Sequence, residues 1–126
     1  MPVKSLRSSV LKWPDREAVD RAVRVWAEQV AQERPEVLRI GYFGSYARGD
    51  WGVGSDVDLI VIVRHSTTPF ERRGAEWDTS SIPVPADLLI YTREEWETLD
   101  RGSRFYQMLM REAVWVYERA EPSSKE

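Results

Sequence analysis

Two aspartates one residue apart, Asp56 and Asp58, stand where the stretch GYFGSYARGDWGVGSDVDLIVIV, residues 41–63, turns from loop into apolar strand. Side chains two apart on a strand share a face, so these carboxylates are brought close, with Ile60 and Ile62 continuing the face into the core. Like charges so placed repel, and one takes up a proton unless a cation sits between them. A lone D-x-D is usually a solvent-facing pair, but here ten residues separate it from Gly44 and Ser45, which close the preceding strand. A glycine and a small hydroxyl at a strand end, followed by a helical turn, expose backbone N–H groups to an anion, and the glycine allows close approach. All-oxygen carboxylate ligands select Mg²⁺, which takes phosphate oxygens as its remaining ligands. The combination points to a metal-bound nucleoside triphosphate.

The elements that must position these residues follow from periodicity. Apolar Val19, Ala22, Val23, Trp26 and Val30 lie on one helical face over residues 15–32, and Pro35 ends the run. VLRIGYF (37–43) reads as a strand closed by Gly44, residues 45–48 as a helical turn, and GDWGVGS (49–55) as loop. Residues 57–63 are apolar at nearly every position, which suits a central strand covered on both faces. Thr68, Pro69 and Glu71 mark the start of a short helix reaching Trp77, and residues 78–83 are loop. ADLLIY (86–91) is a third strand, Thr92 and Glu95 form a capping box opening a helix over 93–99, and Gly102 breaks it. Residues 103–113 repeat the helical spacing with Phe105, Met108 and Leu109 inward, and residues 114–117 add a last strand. The predicted fold is α+β (α/β), a small mixed β-sheet of three to five strands backed by helices on one side. The predicted divisions are an extension over 1–14, one domain over 15–118 and a mobile tail over 119–126, EPSSKE included.

The stretch GSYARGDWGVGSDVDL resembles the signature of the DNA polymerase β-type nucleotidyltransferase superfamily, in particular its minimal nucleotidyltransferase branch, and the order of elements extends the likeness over roughly residues 17–118. The resemblance implies a polymerase β-like nucleotidyltransferase fold and a third carboxylate from a neighbouring strand, where Asp87 in VPADLLIY occupies the matching place. Asp87 lies among Val84, Ala86, Leu88 and Leu89, which favours a ligand over a surface charge, and Glu76 and Asp78 are weaker substitutes. Catalytic roles and metal ligation fall to Asp56, Asp58 and Asp87, holding two Mg²⁺ ions, with Asp87 helping to take the acceptor's proton. Nucleotide contacts fall to Gly44, Ser45 and Arg48, the last one helical turn past Ser45 and within reach of the triphosphate. Trp51 either stacks on a base or caps the sheet, and Asp50 is less clearly placed. His65, the only histidine, follows the strand about 20 Å or more from the aspartates, too far for catalysis.

The 126 residues are about one domain, 42% hydrophobic and 31% charged, as in soluble globular proteins. A net charge of −3 gives no general attraction to phosphate backbones, so duplex nucleic acid is an unlikely partner in this reading. The absence of cysteine excludes disulfides and thiolate metal sites, and no segment reads as a signal peptide or membrane span, so the cytoplasm is the expected location. Six tryptophans are expected to serve a core or an interface. After the third strand about 35 residues remain, which leaves the acceptor to be held mostly by another chain. The resemblance implies an antitoxin that transfers AMP from ATP to a tyrosine of a helical HEPN-type toxin, in a homo- or hetero-oligomer. The alternatives are nucleotidylation of a small molecule such as an aminoglycoside, and a non-catalytic module that neutralises its partner by contact.

Overall fold

The computed structural model describes residues 13–120. The expected N-terminal extension lies almost wholly outside the described residues, as does the EPSSKE segment of the expected tail. Strands β1 (Val37–Phe43), β2 (Val57–Val63), β3 (Ala86–Thr92) and β4 (Val114–Glu118) form one sheet in the order β3-β2-β1-β4. β1 is antiparallel to both β2 and β4, while β2 is parallel to β3, so the sheet is mixed as the sequence predicts.

β2 determines how the layers stack. Every residue of it except Asp58 is buried. Val57, Leu59, Val61 and Val63 join one core, with Val19, Val23, Trp26 and Val30 of helix α1 (Arg16–Glu33). Ile60 and Ile62 point the other way and join Leu38, Phe43 and Leu109, the last from a helix over Arg104–Glu112. Helices therefore lie on both faces of the sheet, not on one as the sequence reading had it. A single layer would leave Ile60 and Ile62 in water, forfeiting roughly 1.5–3 kcal/mol for each buried side chain.

Local signals set the element ends. Asp15 caps α1 by accepting a hydrogen bond from the N–H of Ala18 at 2.9 Å, and Trp26, within α1, donates its indole N–H to the Asp78 carbonyl at 2.8 Å. Two short helices follow in chain order, α2 (Ser45–Arg48) and α3 (Arg93–Glu97); the Arg104–Glu112 helix is α4. Ser103 caps α4, whose Leu109 is fully buried, and Phe105 and Met108 pack beside it as expected. All six tryptophans pack in or against one of the two cores. At Gly41 the chain has no room for a side chain, since a Cβ there would lie 2.8 Å from the Trp115 ring across the β1–β4 pair. No helix among the described residues is long and apolar enough to cross a membrane.

The crossover from β2 to β3 carries the expected short helix as a 3₁₀ segment, Phe70–Glu76. Gly74 lies within it, and a glycine in a seven-residue stretch weakens an α-helix while letting the backbone lie close to Leu88. Arg73 is turned inward beneath this segment. Its guanidinium donates to the Thr68 carbonyl (2.8 Å), the Ile90 carbonyl (3.0 Å) and, in a forked pair, to both oxygens of Glu95 (2.6 and 3.0 Å). Glu95 also closes the predicted capping box with Thr92 at the start of α3. The Arg73 guanidinium, with the Thr92 N–H helping, holds the Glu95 carboxyl down at about 2.

A carboxyl lowered by folding stabilises the protein above its unfolded pKa and loses that contribution as pH falls through the folded value. Glu95→Gln should therefore cost roughly 1–2 kcal/mol at pH 7, less than the full shift implies because the side chain is 41% exposed. Urea unfolding of both proteins should show this gap narrowing as the pH drops from 5 toward 2.

Candidate active site

Two backbone registers and one strand spacing place the acidic residues. In the parallel pair, Asp58 lies opposite Asp87, so the β2 and β3 aspartates are neighbours on adjacent strands. In the antiparallel pair, Asp58 lies opposite Phe43, which sets the next residue, Gly44, against the Asp58 side chain. Asp56 precedes β2 by one residue and shares the face of Asp58. Asp56 and Asp87 are exposed and Asp58 is half-buried.

Gly44 is the residue the geometry can least replace. Its φ is +83°, outside the range of ordinary side chains, and a Cβ there would run into Asp58 Oδ2 and stand 3.2 Å from its Cγ. It opens α2, and its carbonyl accepts from Ala47 and Arg48. The first N–H groups of such a turn have no intrahelical acceptor. Ser45 holds the far end of the turn through its carbonyl, which accepts from Gly49 and Asp50.

Burial raises the pKa of Asp58 above the ordinary carboxylate value, and the negative charges of Asp87 and Asp56 raise it further, with Arg48 pulling it partly back. Among the described residues, no three acidic or histidine side chains converge closely enough to enclose a metal ion. Asp56 and Asp87 flank Asp58 without closing on one point. Their donor chemistry still fits Mg²⁺, with oxygen ligands only and excess negative charge around a glycine that leaves room.

Arg48 is held by two carboxylates, Nε facing Asp50 at 3.1 Å and Nη1 facing Glu112, the last residue of α4, at 3.4 Å. Trp51 stacks on Tyr46 at 5.6 Å and 8° between planes and packs against the core on the α1 side. Tyr46 is itself fully buried and tied through its hydroxyl to the Pro14 carbonyl. Glu76 and His65 line a cavity of about 300 Å³ beside Val63, at the other end of β2 from Asp58. Asp78 turns its side chain to the N–H of Ser80. Neither weaker substitute for Asp87 is among the charges that Asp58 feels. Sequence reasoning missed Glu112, whose one visible signal is an acidic residue immediately before the apolar run that forms β4.

The description "Nucleotidyltransferase domain" belongs to the family model that matches residues 23–116, and the chain belongs to that family. A protein of Methanocaldococcus jannaschii called "Putative protein adenylyltransferase MJ0141" is 38% identical over 52 residues, 41% of this chain and 52% of that protein, so the match spans about half the length of the curated relative. A Sulfolobus solfataricus structure called a "putative nucleotidyltransferase" superposes with a TM-score of 0.60 at 19% identity, over 82% of this chain and 84% of that one. A toxin–antitoxin structure with AMP-PNP superposes with a TM-score of 0.54 at 17% identity, over 76% of this chain and 73% of that one. At these identities the two structures establish a shared fold.

A carboxyl whose pKa is raised on folding opposes folding above its ordinary range and contributes nothing where both states are protonated. Asp58→Asn should therefore unfold at a higher urea concentration than the parent at pH 7, with the two curves merging toward pH 3. A lower midpoint at pH 7 would mean that attraction, not repulsion, governs this carboxylate.

Proposed function

We propose that this chain is a Mg²⁺-dependent nucleotidyltransferase that moves AMP from ATP to a tyrosine hydroxyl of a HEPN-type toxin, and so acts as that toxin's antitoxin in the cytoplasm. The observation that carries the reading is the register that puts Asp58 beside Asp87 on one side and against Gly44 on the other. The nucleotidyltransferase family and the fold shared with toxin–antitoxin components support it. The catalytic unit is residues 15–118, with 1–14 and 119–126 as flanking segments.

In this reading Asp56, Asp58 and Asp87 hold the metal. Two Mg²⁺ ions, when bound, would neutralise the carboxylates and polarise the phosphates. The backbone at Gly44 and Ser45 receives the triphosphate, since a side chain at Gly44 would fill the space in front of Asp58. Arg48 turns its guanidinium to the phosphates. The acceptor oxygen attacks the α-phosphorus, the bond to the bridging oxygen breaks, and pyrophosphate leaves. Asp87, exposed at the start of β3, takes the acceptor's proton. A phenol suits this step because its pKa near 10 is well below that of an aliphatic alcohol. The exposure of Asp56 and Asp87 leaves the acceptor side open to a hydroxyl on another macromolecule.

Mass spectrometry of a co-expressed HEPN partner should find a tyrosine heavier by one AMP, absent with Asp87→Asn. That variant should slow transfer on the order of 100-fold or more while weakening Mg²⁺-ATP binding far less, as for a group acting chiefly in the transition state. An unmodified partner neutralised by stoichiometric binding would replace this reading with a binding module. A nucleotidylated aminoglycoside would replace it with a small-molecule enzyme.

A further inference from the structure

Glu112 sets a puzzle. The site already gathers Asp50, Asp56, Asp58 and Asp87, and one more carboxylate nearby works against a triphosphate. Yet the Glu112 side chain is only 15% exposed, and the partner it faces is Arg48. Glu112 reaches the site through the arginine, its Oε1 standing 3.4 Å from Arg48 Nη1.

The two carboxylates that hold Arg48 are unlike. Asp50 is 62% exposed and sits on the loop after α2, outside any helix or strand. Glu112 ends α4, one residue short of β4, with Leu109 fully buried one turn before it and Val114 paired to Tyr42 shortly after. It is anchored on both sides by the two cores. An arginine on a four-residue helical turn, with its side chain 44% exposed, has many rotamers, and a fixed carboxylate selects among them. With Nε on Asp50 and Nη1 on Glu112, the Nη2 edge of the guanidinium carries no bond to a described residue.

We infer that Glu112 is a positioning residue: from the end of α4 it holds the Arg48 guanidinium beside Asp58, with one edge free, ready for the phosphates of the nucleotide. The inference rests on the nucleotide reading above and names a residue outside the signature stretch. A carboxylate clamped to an arginine trades part of that arginine's charge for order, as pre-organised sites do.

The test is a double-mutant cycle read by calorimetric titration of AMP-PNP with Mg²⁺ into the whole protein. E112A should weaken binding about 5- to 30-fold in the parent and have no further effect in the R48A background, because its action passes through the arginine. E112D, which keeps the charge on a shorter arm, should recover part of the loss. Thermal unfolding of each variant reports folding separately. A loss of equal size in both backgrounds would make Glu112 a structural residue and overturn the inference, as would unchanged binding in E112A. A parent protein that binds AMP-PNP equally well in EDTA would overturn the metal-site reading, whatever the cycle shows.

Discussion

Parallel strands cannot be joined by a tight turn, so β2 and β3 pair only because the chain between them leaves the sheet and returns in register. That return is fixed at one buried charge. Arg73 reaches from the 3₁₀ segment to carbonyls at Thr68 and Ile90 and to the carboxylate of Glu95, tying crossover, β3 and α3 together. A slip of one residue would turn Asp87 to the opposite face and separate it from Asp58. The chemistry at the open end of the sheet thus depends on a bonding arrangement several residues further along β3.

The site itself is built against its own electrostatics. Three carboxylates lie side by side near the end of β1, and the half-buried one is pushed toward its neutral form by burial and by the other two. Arg48 relieves part of this, and it is itself shared with Asp50 and Glu112. Gly44, at a positive φ, keeps a side chain out of the space beside Asp58. Sites that hold unfavourable charge together commonly give up stability for function.

Much of this was legible in the sequence because the signals were local. The bounds of β1, α2 and β2 follow from an apolar run, a glycine and a second apolar run, each read within a few residues. The capping box at Thr92 and Glu95 needs only a spacing of three. α3 ends at Glu97, two residues short of the expected Leu99, and the Thr98 hydroxyl donates back to the carbonyls of Glu94 and Glu95. What was not legible is what distant segments decide. The helix cover on both faces depends on where α4 docks, and the link from Glu112 to Arg48 joins residues 64 apart, a pairing no local pattern announces. The stack of Trp51 on Tyr46 required knowing that the loop folds back over the turn.

The strand order carries a consequence for how the chain acquires its shape. β1 is central, yet its partner on one side is β4, and Arg119 just after β4 donates to the carbonyl of Val37, 82 residues earlier. Contacts of that span require a large loop to close before they return any stabilisation, which slows folding relative to a bundle of local helices. Until β4 docks, the edge of β1 stays open and the Arg48 clamp has no anchor. A growing polypeptide carries Arg48 and then the aspartates of β2 and β3 well before it carries Glu112, so the arginine of the site is older, in the life of each molecule, than the carboxylate that fixes it.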